Sequence, residues 1–458
     1  MERRFEVRKR ELLAECKVDP RVYEGMLERL GDFVLPFGKV MQAPVHREHA
    51  QTYMAGLLSD LKDKNVEAIA YLHDQDRKNL QHFIGSAPWD HRPLVKELVR
   101  QVSHKLGTSH GVLVFDPSAF RKQGKASVGV ARQWCGRQGK VDNCQVGVYM
   151  GYVSAEEHAL VDFRLYLPEE WTKDRKRLRK AGVPKDMRFQ TRHALVLEML
   201  LEHGAVLPHE WIAGDDELGR VGHFRRDLQG LNERYLLAIP SNTTIRDLSA
   251  PPPEYTGHGR KPKVPARQAR VWCAALPEAA WVRIDVRDGE KGPLVVEMSR
   301  PCPVEAKSDR RWMRYSETLV VFRIRENGIV VKHDYGLSNA PSNTPIAEFA
   351  RVYCAEHRIE ECIKRSKSQA GLASYEVRTW EGWHHHQTLA LLATWFLVCE
   401  TQRGKKILSG DYGAVDSERP CRTPSRTLCP SNAPANCPSP ATHQRPQNAC
   451  LSLPLQIT

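Results

Sequence analysis

The sequence predicts a mixed α/β protein: a sheet flanked by helices, preceded by a helical N-terminal domain and interrupted by a β-rich insertion. Three observations predict it. Apolar residues recur at helical spacing up to about residue 106, three β-rich runs separated by turn residues follow, and helical and strand-like segments then alternate. A chain of 458 residues also exceeds what one hydrophobic core usually serves, so two or three domains are expected.

The elements follow in order. In residues 1–106, "HAQTYMAGLLSDL" and "PLVKELVRQVSHKL" carry apolar stripes with basic residues on their other faces, which predicts a small helical domain whose cations suit contact with a polyanion. Residues 107–248 open with "GVLVFD", "CQVGVYMGYV" and "HALVDFRLYLP", three strands expected to form an antiparallel meander. "TRHALVLEMLLEHGA" then reads as a helix, "EWIAGD" as a short strand, "VGHFRRDLQGL" as a helix and "ERYLLAIP" as a strand. "SAPPPEYTGHGRKPKVPARQ" breaks the pattern with Pro, Gly and cations, so residues 249–340 are read as a linker and a β-rich insertion, with strands in "AWVRIDVRD", "GPLVVEMSR" and "ETLVVFRIR". Residues 341–403 return to helix, with a cap expected at Thr344 and Pro345 in the first turn. The Pro-, Ser- and Cys-rich segment 404–458 has no apolar period and is expected to be disordered.

The net charge of +13, from 68 basic and 55 acidic residues, favours a polyanionic partner. No stretch approaches the roughly 18 apolar residues of a membrane span, and "MERRFEVRKRELLAEC" lacks the apolar core of a secretory signal, so a soluble, cytoplasmic protein is expected. The twelve cysteines include no Cys-x-x-Cys pair and are read as reduced thiols rather than zinc ligands. His384, His385 and His386 are consecutive, so on a helix they point about 100° apart and cannot converge on one ion.

The apolar run "GVLVF" meets a carboxylate at Asp116, and "EWIAG" meets another at Asp215. Glu360 and Glu361 lie farther on, in a segment of helical period. Two strand ends and a helix can deliver three carboxylates to the rim of a sheet, where hard divalent ions take oxygen ligands and a phosphodiester can reach them. A strand-end Asp is also a common turn former, so spacing leaves both readings open. The loop "RKQGKASVGVARQWCGRQGK" mixes glycine with Lys125, Arg132 and Lys140; it suits either phosphate contact or a solvated basic hairpin. Arg225 and Arg226 leave the same two readings open.

The passages "VFDPSAFRKQGKASVGVARQWCGRQGKVDNCQVGV", "GDDELGRVGHFRRDLQGLNERYLLAIPSNT" and "GLASYEVRTWEGWHHHQTLALLATWF" resemble insertion-sequence transposases of the DDE superfamily. These are RNase H-like enzymes, and the resemblance is to the group with a Tyr-Arg-Glu-Lys signature around the last carboxylate. The resemblance runs from roughly residue 20 to 405. It implies that Asp116, Asp215 and Glu360 are the catalytic, metal-binding triad. Tyr353 stands seven residues before Glu360 and Lys367 seven after it, as the signature requires. The sequence departs from the pattern at Glu356, where the signature has arginine, and at Pro117 after the first Asp; Arg358 is then the arginine expected to turn toward the phosphate.

The resemblance further implies two Mg²⁺ ions, with Mn²⁺ as a substitute, and a transposase that cleaves element ends and joins them to target DNA. Its partners would be the terminal inverted repeats and target DNA, with a homodimer assembled on DNA, no membrane and no small-molecule substrate. It would act on chromosomal DNA in a prokaryote. The alternative is a catalytically impaired relic acting as a sequence-specific DNA-binding repressor. Of the insertion aromatics, Trp272, Trp281 and Trp312 are candidates to hold a flipped base, with core packing as the competing role.

Overall fold

The computed structural model describes residues 22–41, 43–136, 139–289, 292–308, 311–326 and 328–409. The expected disorder of the tail falls almost wholly on residues outside these. Five helices precede the first strand: α1 (Met26–Lys39), α2 (Pro44–Leu58), α3 (Val66–Leu72), α4 (Arg77–Gly85) and α5 (Arg92–Leu106). Their starts follow from short polar side chains that accept orphan amide protons. Asn65 caps α3 by accepting from the Ala68 amide at 2.9 Å, and Asp76 caps α4 from the Asn79 amide at 2.8 Å. On α5, Leu94, Val95, Leu98, Val99, Val102 and Leu106 form one buried face. That face belongs to the same hydrophobic cluster as the central sheet and the last helix, so these helices share their core with the rest of the molecule.

The sheet begins with β1 (Val112–Arg121), β2 (Ala131–Cys135), β3 (Lys140–Val153) and β4 (His158–Tyr166). Short helices α6 (Glu169–Lys173) and α7 (Arg175–Lys180) lead to α8 (Arg192–His203), started by the Thr191 hydroxyl accepting from the Ala194 amide at 3.2 Å. Next come β5 (Trp211–Gly214), α9 (Asp216–Gly219), α10 (Gly222–Gly230) and β6 (Tyr235–Ile239). The central order is β4-β3-β1-β5-β6, with β3 antiparallel to β4, to β1 and, over its first residues, to β2, and β5 parallel to β1 and β6. The mixed α/β class is thus observed.

The next strands are β7 (Thr244–Asp247), β8 (Arg267–Gln268), β9 (Trp281–Gly289), β10 (Gly292–Ser299), β11 (Cys302–Ser308), β12 (Arg311–Trp312), β13 (Glu317–Glu326) and β14 (Ile329–Ser338), with α11 (Ala269–Ala274) between β8 and β9. They extend the same sheet: β14 pairs antiparallel with β6, and the order continues β14-β13-β11-β7-β8. A second apolar cluster, including Ile245, Val304, Leu319, Val321 and Leu337, fills the space beneath them.

Two long helices close the chain, α12 (Ile346–Gln369) and α13 (Trp380–Ser409). Pro345, rather than Thr344, occupies the N-cap of α12, and no side chain caps it. His384, His385 and His386 on α13 are buried. His386 Nδ1 meets the Tyr53 hydroxyl at 2.8 Å, and His385 stacks on Trp89 with ring centroids 3.7 Å apart. Their work is to bind the N-terminal helices to α13.

Candidate active site

β1 does not stop at Asp116, as the apolar run suggests. It pairs with β3 through Arg121, because β3 is long enough to continue from Asp116↔Tyr149 to Arg121↔Cys144. The neighbour that stops is β5. Phe115 and Gly214 are the last paired residues of these parallel strands, so the next residue of each chain is a carboxylate, Asp116 or Asp215. Asp215 leaves the sheet to become the N-cap of α9, its Oδ1 accepting from the Leu218 amide at 3.1 Å. A short polar side chain suits that position for the reason it suits any helix start.

The third carboxylate comes from α12, which packs across β1, β3 and β4. Gly151 of β3 lets the helix approach: a Cβ there would lie 2.4 Å from the Ile359 side chain, the residue next to Glu360. Asp116, Asp215, Glu360 and Lys367 then line one cavity of about 730 Å³. Lys367 donates from Nζ to Ser118 Oγ at 2.7 Å and lies 4.5 Å from the centroid of the Phe120 ring. Glu360 Oε2 meets His357 Nδ1 at 3.3 Å. Glu361 faces elsewhere, pairing with Arg365 at 2.7 Å.

Burial and the negative charge of Glu360 push the Asp116 carboxyl up to about 6, with Lys367 acting in the opposite direction. Asp215 rises well above the usual carboxylate range, through burial first and then Asp116 and Glu217. These carboxylates repel one another with little compensation from the protein. Their oxygens are the hard donors that Mg²⁺ or Mn²⁺ takes, so the residues present fit a divalent cation.

A neighbouring cleft of about 340 Å³ is lined by Asp215, Asp334, Tyr353, Glu356 and Glu360, among others. Tyr353 donates its hydroxyl to Asp334 Oδ2 at 2.7 Å and stacks on Phe322 with centroids 4.0 Å apart. Glu356 is a residue that sequence reasoning treated only as a departure from the signature. Its spacing of four from Glu360 on a helix puts both on one face, and that signal could have found it.

Arg358 is not brought to this cluster. It is buried and donates from Nη1 to the Ser154 carbonyl at 2.6 Å, pinning α12 to the β3–β4 turn. Two positions from Glu360 on a helix, it sits about 200° round the axis. Lys125, Arg132 and Lys140 are exposed on or beside the β2–β3 hairpin, whose Gly136 lines the larger cavity although the three cations do not. Arg225 is buried against Glu317, which rules out phosphate contact; Arg226 is exposed. Among the insertion aromatics, Trp272 is buried and donates to Asp247 Oδ2 at 2.8 Å, while Arg323 and Arg246 lie over the Trp281 and Trp312 rings.

Asp162, Glu202 and His203 bring ligand atoms within 4.8 Å of one another on β4 and α8. Arg164 already fills that position, donating to Asp162 at 2.6 Å and to Glu202 at 2.6 Å. A guanidinium, not a metal, balances the trio.

The profile of a family described as DDE superfamily endonuclease matches residues 36–293, more than half of the chain. The chain belongs to the DDE superfamily endonucleases. The match takes in Asp116 and Asp215 and ends before Glu360. A protein described as "Probable transposase for insertion sequence element IS701", from Microchaete diplosiphon, is 25% identical over 330 residues, covering 70% of this chain and 74% of its own. A solved structure, the NurA nuclease of Sulfolobus solfataricus, aligns with 74% of this chain and 96% of its own at 10% identity and a TM-score of 0.26; so slight a likeness carries no argument. Among the described residues no helix is long and apolar enough to cross a membrane.

Proposed function

We propose that this DDE endonuclease is a DNA transposase that nicks the ends of an insertion sequence and joins them to target DNA. The observation that carries the proposal is the convergence of three carboxylates. Asp116 of β1 and Asp215 just after β5 follow the last paired residues of these parallel strands, and Glu360 descends from α12 into the same cavity. The relative described as a probable transposase supports the reading. So does the β4-β3-β1-β5-β6 order with β3 antiparallel, which suits an RNase H-like core.

Asp116, Asp215 and Glu360 would hold two Mg²⁺ ions, with Mn²⁺ able to substitute. When bound, such ions supply Lewis-acid activation of an attacking oxygen and stabilisation of the leaving oxygen in phosphodiester chemistry. The chain's own residues do the rest. β1 and β5 hold two ligands on a rigid sheet rim, so their positions need no reorganisation during the reaction. Lys367, tethered by Ser118, offers an ammonium beside Asp116, where it can neutralise a phosphate oxygen as a point charge. Tyr353 donates a hydrogen bond from its hydroxyl to Asp334, so it can donate to a phosphate only by exchanging that partner.

The N-terminal helices and the cations Lys125, Arg132 and Lys140 would contact DNA phosphates, a role their exposure permits. Holding two element ends for joining implies a homodimer assembled on DNA, acting on the chromosome in a prokaryotic cytoplasm. The test is incubation of the full chain with Mg²⁺, DNA carrying the ends that flank its own gene, and a supercoiled target. The expected products are a nick at each end leaving a 3′-hydroxyl, followed by strand joining. Nicking without joining would make it a hydrolytic nuclease. Sequence-specific binding without any nick would make it the non-catalytic repressor and overturn the proposal.

A further inference from the structure

We propose that Glu356 is a fourth carboxylate ligand of the divalent-cation site. The inference rests on the reading of Asp116, Asp215 and Glu360 as metal-binding, and it adds a residue that the signature does not supply. Glu356 stands one helical turn before Glu360 on α12, so the two share a face. That face lines the cleft closed on its other side by Asp215 and Asp334.

What sets Glu356 apart is its lack of a partner. Other carboxylates around the cleft are engaged: Asp216 pairs with Arg220 at 2.8 Å, Glu217 with Arg192 at 2.5 Å, and Asp334 with Lys332 at 3.0 Å and with the Tyr353 hydroxyl. Among the described residues the Glu356 side chain makes no hydrogen bond or ion pair. It is half-buried, and the strongest charges acting on it are negative: Asp215, Glu360, Asp116 and Asp334. A partly desolvated carboxylate among carboxylates is unfavourable unless a cation shares the space. Two hard cations, each taking six or so oxygens, leave ample coordination for a fourth carboxylate beside the triad. Arginine at this position would bring a positive charge to DNA; glutamate instead adds an oxygen donor to the metal side of the site.

The test is Mn²⁺ binding to the full chain without DNA, followed by loss of the free-ion electron paramagnetic resonance signal at pH 7.5. Wild type, Glu356→Gln, Glu356→Asp and Asp215→Asn are compared, each with its metal-free melting temperature. The expected result is Mn²⁺ binding at least roughly tenfold weaker in Glu356→Gln, with Glu356→Asp between it and wild type. The metal-free Glu356→Gln protein should melt no lower than wild type, since a repelled charge has been removed. If Glu356→Gln binds Mn²⁺ as wild type does while Asp215→Asn is weakened, the inference fails and the metal site stands. If neither substitution changes binding, the metal-site reading itself fails. A metal-free Glu356→Gln protein that melts well below wild type would make Glu356 a structural acid and overturn the inference as well.

Discussion

Arg225→Met is expected to destabilise the protein by about 3–5 kcal/mol, the usual cost of leaving one member of a buried ion pair behind. Arg225 on α10 is 1% exposed and Glu317 on β13 is 2% exposed. The guanidinium donates from Nε to Glu317 Oε1 at 2.7 Å and from Nη2 to Oε2 at 3.2 Å. It also donates to the Gly219 carbonyl. Methionine fills much of the volume but gives nothing to either acceptor. Among the described residues Glu317 would keep only the hydrogen bond from the Tyr235 hydroxyl, at 2.7 Å, and the Gly219 carbonyl would lose a donor at a further cost of about 1–3 kcal/mol if it stayed dry. The double change Arg225→Met with Glu317→Leu removes both charges and should recover most of the loss. Urea unfolding of the single and double variants measures both quantities. A single-variant loss below about 1 kcal/mol, or a double variant as unstable as the single, would refute the assignment of this pair as the clasp between the segment after Asp215 and the inserted strands.

Other expectations concern the same region and the core. Gly219→Ala would place a Cβ 1.9 Å from the Ala238 carbonyl oxygen; backbone must move, so a loss of at least about 1–3 kcal/mol should accompany slower cleavage as α9 carries Asp215 away, and normal calorimetry with normal nicking would contradict it. Glu361→Gln should keep cleavage within a few-fold of wild type, since it breaks only a surface pair with Arg365 worth about 0.3–0.5 kcal/mol; a dead variant would shift the helix register by one. Burial holds His91 and His386 down to about 3 and His158 down to about 4. Lowered histidines stabilise the fold above their unfolded pKa of about 6.5 and lose that contribution as pH falls toward 4. In excess Mg²⁺, which on the proposed reading would keep the carboxylate cluster ionised, stability should therefore drop by up to about 4 kcal/mol per pH unit for three protons. Urea midpoints that stay flat between pH 7 and 5 would count against it.

Local pattern made much of this legible. The strand-like runs "CQVGVYMGYV", "EWIAG" and "ERYLLAI" appear as β3, β5 and β6 because alternation, β-branching and turn residues are local signals. The true end of β1 was hidden, since it depends on how far β3 continues beside it, a long-range property that Asp116 and Pro117 do not announce. The joining of the inserted strands to the central sheet through β14 and β6 was hidden for the same reason. The place of Arg358 against the Ser154 carbonyl depends on helical angle, about 200° round the axis from Glu360, which a count of residues does not carry. Glu356 stands in the sequence as a departure from the signature, and only the helix phase puts its carboxylate on the face of Glu360.

The central claim is that Asp116, Asp215 and Glu360 carry the chemistry, and the most direct measurement is the nicking rate of the three single variants, Asp116→Asn, Asp215→Asn and Glu360→Gln, on DNA bearing the element ends in Mg²⁺. Each substitution keeps the shape of the side chain and removes its charge from a mutually repelling cluster, so folding and DNA binding should persist. Each should slow cleavage at least about a hundredfold, equivalent to ~2.7 kcal/mol of lost transition-state stabilisation. Cleavage at the wild-type rate by any one of the folded, DNA-bound variants would contradict its place in the site, and by all three would contradict the account.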